Sequence, residues 1–263
     1  MGTLRHVIAG IAAVATSLVC AGAACAAAVK PSDEALKEAG DKFDFELWDK
    51  LLKKYVDGKG RVDYDKLRGS ADDRKSIEKL YAQVTAQKLD GLSKKAQLAF
   101  LVDAYNLIVW KNVIDNSPKR VDESLYKFFR RDYLVAGKTT DLDGLEKKWV
   151  RPQFKDARVH MALNCASGGC PMLPAEAFTP DKVDAQLERE AKRFCNEERN
   201  VSYDPATKKV KLSKIFDWYA DDFDKKQIAW INKYRAKDAQ IPADAKLDFV
   251  DYDWHLNDPS LKR

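Results

Sequence analysis

The sequence predicts an α+β fold: a helix-rich single domain with a small mixed sheet and a buried central helix. Residues 98–110, LAFLVDAYNLIVW, are apolar on nearly every side, the pattern of a helix enclosed in the middle of a domain. Other segments repeat their apolar positions every three to four residues, as amphipathic helices do. Alternating runs at 201–213 and near Leu247 and Phe249 supply the strands of a small sheet.

Residues 1–28 read as a signal peptide. Arg5 is the only full charge there, it precedes the apolar run VIAGIAAVATSLVCAGAACAAA, and Ala26-Ala27-Ala28 fits a small-x-small cleavage site. The run is too alanine-rich for a convincing membrane span of ~20 residues. The expectation is an exported protein, periplasmic or secreted, with no stable membrane insertion after cleavage. A retained anchor and a lipid-bearing Cys25 are the alternatives, and Gly22 is a poor substitute for the leucine a lipidation signal wants. Residues 29–90 then form a helical N-terminal extension, and 91–263 the main domain.

In chain order, FDFELWDKLLKKYV places Phe45, Trp48, Leu51, Leu52 and Tyr55 on one side of an amphipathic helix. DGKGRVDYDKL lacks the glycine at position six and the glutamate at position twelve of a calcium loop, so it reads as a turn and a short extended piece. A helix through KSIEKLYAQVTAQ ends near Asp90-Gly91. Ser93 caps the central helix, which stops before Pro118. Asp103 and Asn106 share a face of it, and burying either without partners costs on the order of 2 kcal/mol or more. They either belong to a polar network that fixes the helix or line a site.

Residues 119–155 look irregular, with a short helix at SLYKFFRRD, a turn at Ala136-Gly137-Lys138 between extended pieces, and a helix across LDGLEKKWV. Phe128, Phe129 and Tyr133 cover the core or the mouth of a site. In TPDKVDAQLEREAKRFC, Thr179 caps, Pro180 takes the first helical position, and Val183, Leu187, Ala191 and Cys195 repeat at helical spacing. Cys195 is thereby a buried core thiol. VSYDPATKKVKLS is a hairpin, Ser213 caps KIFDWYADDF, QIAWINKYR is a short helix, and LDFVDYDWHLND returns a last strand to the sheet.

The densest chemistry lies between Asp156 and Pro174, DARVHMALNCASGGCPMLP. Val159, Met161 and Leu163 alternate with His160, Ala162 and Asn164, which predicts a half-buried strand that delivers Cys165 and Cys170 to a glycine-relaxed loop. Such loops commonly display reactive side chains.

Together AFLVDAYNLIVWKNVID, RVHMALNCASGGCPMLP, KIFDWYADDF and FVDYDWHLND, in that order over roughly residues 98–257, resemble the family known as domain of unknown function 547. The resemblance implies a papain- or transglutaminase-like arrangement. Asp103 stands where that family more usually has Asn, and His255 where it more usually has a small residue.

Two function classes follow. The first is a thiol-dependent hydrolase or acyltransferase acting on a peptide-like amide or ester: Cys165 or Cys170 attacks, His160 or His255 carries protons, and Asn106 or Asn164 orients the ring or donates to the oxyanion. On a regular strand His160 and Cys165 lie ~16 Å apart at ~3.3 Å per residue, so the loop would have to curl; His255, after the cysteines, has no such restriction. The second is a non-catalytic binding domain in which Cys165 and Cys170 form a structural disulfide, which an oxidising compartment permits. A metal reading of His160, Cys165 and Cys170 has loose spacing and no fourth ligand, and a redox pair would lack the C-x-x-C spacing. The sequence implies no cofactor and no metal. Its 46 basic and 41 acidic residues are well mixed, with no basic stripe for nucleic acid; a small-molecule or peptide-like substrate is the partner expected.

The leader predicts a mature chain that begins at or near Val29. Intact-mass analysis of exported protein checks this; recovery of Met1 would overturn it, and a lipid adduct on Cys25 would favour the anchored alternative.

Overall fold

Helix α5, Lys94–Asn116, organises the structure, a computed structural model that describes residues 27–124 and 128–260. Ser93 starts it by accepting the Ala96 N–H at 3.2 Å, and Ser117 ends it in the left-handed region just before Pro118. Every residue from Leu98 to Val113 is buried, so the all-round apolar pattern is met by packing on all sides.

The preceding helices pack around α5. They are α1 (Asp33–Glu38), α2 (Phe45–Tyr55), α3 (Tyr64–Gly69) and α4 (Ala71–Ala86). Trp48 of α2 meets Trp110 of α5 edge-on at 4.8 Å, and Tyr55 and Tyr64 meet the same indole at 6.4 and 6.2 Å. Buried residues from Phe43 to Leu256 share this core. Helix α3 was not expected; Asp63 caps it through Lys66 N–H. Helix α4 ends at Ala86 rather than near Asp90, because Gln87 turns extended and spends its side chain on Phe43 N–H and Lys88 O.

Strands β1 (Tyr133–Val135) and β2 (Lys138–Thr140) form a hairpin about Ala136 and Gly137, both at positive φ. The helix expected at 124–132 falls partly on residues outside the described set. The helical run from Leu142 is π-helical over Leu145–Val150 and α-helical again over Arg151–Phe154. Strands β3 (Val201–Asp204), β4 (Lys209–Leu212) and β5 (Lys246–Phe249) make a mixed sheet, antiparallel between β3 and β4 and parallel between β4 and β5. The expected helix-rich α+β domain with a small mixed sheet is therefore present; a papain-like arrangement is not confirmed.

Two expectations are corrected. Residues 159–164 are not a strand: Ala157–Met161 is a 3-10 helix whose Asp156 cap accepts from Arg158 N–H. The alternation misled because both parities are buried, Val159, Met161 and Leu163 as well as His160, Ala162 and Asn164. The helix expected from Pro180 runs over Val183–Asn196, because Thr179 O takes both Lys182 N–H and Val183 N–H in a preceding turn. Cys195 is the buried free thiol foreseen on its core face.

A second cluster, including Met161, Phe194, Cys195, Val210, Phe216 and Ile231, lies beneath the three-stranded sheet. The cysteine loop runs near the junction of the two cores, and Gly60 braces it. Gly60 has φ +69°, and a Cβ there would stand 2.7 Å from Leu173 N and 2.8 Å from Met172. Gly60→Ala is expected to destabilise by on the order of 2 kcal/mol, from strain and overpacking. Gly58→Ala, where a Cβ meets nothing within 4 Å, should stay within about 0.5 kcal/mol; urea denaturation of both variants checks the contrast.

Candidate functional site

A cavity of about 560 Å³ opens where the two cores meet. Tyr105 and Leu163 line it from the first core and Ile215 from the second, with His160, Cys165 and Cys170 in the same wall. The fold thus brings His160 and both cysteines to one cavity. Residues 159–164 are not a strand, so the ~16 Å that a regular strand would impose between His160 and Cys165 does not apply.

Cys165 and Cys170 are joined as a disulfide with their Cα atoms 6.2 Å apart. Cys165 is half-buried and Cys170 buried. Their sulfurs sit among donors: Cys165 N–H donates to Cys170 Sγ at 2.9 Å, and Tyr252 Oη and Ser167 Oγ lie 3.3 and 3.4 Å from it. Tyr252 packs flat over Gly169, where a Cβ would meet its ring at 2.8 Å. Burial pushes the Tyr252 phenol well above its ordinary value, so it stays a hydroxyl.

Asparagines hold this loop. Asn106 of α5 donates to Ala162 O at 3.0 Å and accepts Asn164 N–H at 2.9 Å. Asn164 in turn donates to Pro171 O at 2.7 Å and accepts Ala166 N–H at 2.9 Å. Both amides are therefore committed to backbone. Asp103, on the same helix face, serves another segment: it accepts Phe178 N–H at 3.3 Å. Burial drives its carboxyl well above the usual carboxylate range, with Phe178 N–H and the Trp48 indole opposing. From the other side, the C-terminal segment seals the loop through Gly168 N–H to His255 O and Gly169 N–H to Asp253 O, both 2.8 Å, and Asn257 N–H to Ala166 O. Arg199 donates to Gly168 O and Cys170 O.

The two histidines part company here. His160 is buried, and a proton on Nε2 donates to Asp222 Oδ2 at 2.7 Å, while Nδ1 faces Glu146 Oε1 at 3.9 Å. Its ring stacks on Tyr219 at 4.0 Å, and Arg151 forks onto Asp222 at 2.6 and 3.0 Å. The His160 hydrogen bond, then the Arg151 guanidinium, hold the Asp222 carboxyl far below its usual range, although burial opposes them. Burial, followed by Glu146, pushes the Tyr219 phenol well up. His255 contributes backbone to the loop, but its exposed side chain points to Asp253 Oδ1 at 2.8 Å and Arg120 at 3.0 Å, away from the cysteines.

At the mouth, exposed Trp218 lies 4.7 Å from Tyr252 and stacks on Trp254 at 5.7 Å. Sequence reasoning had not singled out Glu146, Arg151, Ser167, Trp218, Tyr219, Asp222, Tyr252 or Trp254. The signal was available for several: KIFDWYADDF holds Trp218, Tyr219 and Asp222, and YDW holds Tyr252 and Trp254. Among the described residues no group of three or more His, Cys, Asp or Glu side chains is placed to hold a metal ion. Nor, among them, is any helix long and apolar enough to cross a membrane.

The segment that carries α5, His160 and both cysteines is the one with recognisable kin. Residues 89–195 match the family described as Protein of unknown function, DUF547. No curated protein and no solved structure matches the chain. The DUF547 match thus supplies both cysteines and His160, whereas Asp222, Tyr252 and the aromatic mouth come from beyond it.

The depressed Asp222 carboxyl has a thermodynamic consequence. A group whose folded pKa lies below its unfolded value near 4 stabilises the fold above that value, and the contribution is lost as pH falls through the folded one. Asp222→Asn should therefore lower Tm most at pH 6–7, and the gap to the parent should shrink towards pH 2. Thermal melts across that range check it; a gap independent of pH would show that ion pairing is not its source.

Proposed function

We propose that the protein is an exported binding domain whose ligand cavity is walled by the Cys165–Cys170 disulfide. The observation that carries this reading is that the two candidate nucleophiles line the cavity joined to each other. A disulfide sulfur offers no thiolate, and the thiolate is the attacking species in cysteine catalysis. The size and lining support it further. About 560 Å³ is in the range of small-ligand sites, and aromatic walls with a few placed polar groups are their usual make-up.

Trp218 and Tyr252 give an aromatic platform for a planar or apolar ligand face, and Glu146 and His160, the latter bonded to Asp222, are polar partners in the same wall. A small molecule or a peptide-like segment fits that chemistry. The asparagines belong to the scaffold in this reading, since Asn106 and Asn164 already spend their amides on backbone.

One observation favours the thiol-dependent hydrolase or acyltransferase as a second reading. His160 has an orienting carboxylate in Asp222 and shares a cavity with Cys165, which is the relation between base and orienter in cysteine and serine hydrolases. That chemistry needs the disulfide opened first.

Two measurements separate the readings. Mature protein without the leader and its Cys20 and Cys25, isolated without reductant, denatured and alkylated, should show one free thiol, Cys195. Acetylated dipeptide amides, used as peptide-like probes, should quench the intrinsic fluorescence of the folded protein, and Trp218→Ala should weaken that binding at least tenfold with Tm little changed. Free thiols at Cys165 and Cys170 that alkylate below pH 8, together with hydrolysis of the probes, would overturn the binding-domain reading in favour of the enzyme.

A further inference from the structure

The two sulfurs share the hydroxyls of Ser167 and Tyr252 as neighbours and differ in one backbone donor, the Cys165 N–H that reaches Cys170 Sγ. Cys170 Sγ is buried and receives Cys165 N–H at 2.9 Å, with Tyr252 Oη at 3.3 Å and Ser167 Oγ at 3.4 Å. Each hydroxyl owns a single proton. In the closed disulfide those protons have competing acceptors, because Ser167 Oγ is also 3.1 Å from Tyr252 Oη and 3.1 Å from Cys165 Sγ, and Tyr252 Oη is 3.4 Å from Cys165 Sγ. A neutral disulfide sulfur is a weak acceptor, so it cannot by itself order three donors. A thiolate can, because hydrogen bonds to a charged acceptor are roughly twice as strong as neutral ones. Burial keeps Tyr252 protonated well beyond neutral pH, so it remains available as a donor. Arg199 adds a cation bonded to Cys170 O, tempered by its pairing with Glu197 at 2.9 Å.

Both cysteines line the cavity, and Cys165 is the less buried residue of the two. We propose that Cys165–Cys170 is an exchangeable disulfide, in which Cys165 takes the attack of a thiol that enters the cavity and Cys170 departs as a thiolate held by Cys165 N–H, Tyr252 and Ser167. This rests on the disulfide-walled cavity and assigns that wall an activity, thiol–disulfide exchange with a dithiol. One thiolate of the dithiol forms a bond to Cys165 Sγ, the Cys165–Cys170 bond breaks, and the electron pair leaves on Cys170. The second thiolate of the dithiol then attacks its own first sulfur, releasing Cys165 as a thiolate and closing the reductant into a cyclic disulfide. Two electrons pass from dithiol to protein, and the dithiol's two protons end on the two cysteines or in water. Exchange is faster when the leaving thiol is the more acidic one, which the Cys165 N–H at Cys170 favours.

The test uses the full chain and two probes. Glutathione, a monothiol, is added to folded protein, the mixed disulfide is trapped by acid, and its position is mapped by peptide mass spectrometry. The adduct should lie on Cys165 at least tenfold over Cys170. Dithiothreitol is then equilibrated with the protein from oxidised and reduced starting states, so that exchange is read whichever state is isolated. Tyr252→Phe keeps the ring over Gly169 and removes one donor, and it should slow opening about tenfold; Ser167→Ala should slow it through a different donor. Native alkylation of Cys195 reports folding, because that thiol is buried and stays unlabelled in a folded chain. Adducts shared equally or favouring Cys170, or rates unchanged in both folded variants, overturn the proposal. A disulfide that opens only on unfolding overturns exchange and leaves the walled cavity standing. Reduced cysteines in the isolated protein, with rapid exchange mapped to Cys165, overturn the walled cavity and leave exchange standing.

Discussion

The structure depends on the carboxamide of Asn106. It is buried on α5 and spans the chain turn between Ala162 O and Asn164 N–H, so that one side chain fixes both directions of the backbone that enters the cysteine loop. A loop laid across the junction of two cores carries peptide groups that water cannot reach, and each must find a partner. Asn106 satisfies two of them and Asn164 two more, and the 253–257 segment takes those of Gly168 and Gly169. Removing the amide leaves buried backbone groups unpaired, at about 1–3 kcal/mol each. The loop belongs to no named strand, so side-chain amides share with an isolated backbone bridge, Ser167 to Leu256, the pairing that a sheet would otherwise do.

That solution explains how the cavity is assembled from distant segments. The 3-10 helix Ala157–Met161 brings His160 in from the family-matched region, and the short helices Ile215–Trp218 and Ala220–Phe223 bring Trp218 to the cavity and Asp222 to His160. Tyr252 arrives on the segment whose backbone already pairs with the loop. A polar ring on a buried imidazole is then forced by energetics. His160 cannot be enclosed without partners, and Asp222, itself held by Arg151, supplies one.

How much of this could be read in the sequence follows from the range of the interactions. Ser93, the buried face of α5, the hairpin of β3 and β4, and the burial of Cys195 are written in local spacing and were legible. The polar-network option for Asn106 was also legible, because an amide among apolar residues demands partners, although nothing local says which. The stretch 159–164 was misread because alternation distinguishes a strand only when one parity faces water, and here neither does. Asp222 could not be assigned to His160 at all: it lies 62 residues away and only the packing of the second core joins them. The disulfide stayed open for a similar reason, since spacing allows the pair and only geometry closes it.

The binding and thiol readings differ less in architecture than in the state of one bond. With the disulfide closed, the cavity presents aromatic rings, a paired imidazole and two sulfurs without nucleophilic character. With it open, no scaffold contact needs to change, because Asn106, Asn164 and Arg199 hold the loop through backbone atoms and not through sulfur. The open form would place a Cys165 thiol in the wall that already holds His160, whose ring is bonded to Asp222. The donors gathered at Cys170 would serve a charge that exists only then. Ser167 and Tyr252 stand within reach of both sulfurs, so the direction proposed for exchange turns on the Cys165 N–H at Cys170 and on the deeper burial of Cys170, and not on the presence of cysteines as such.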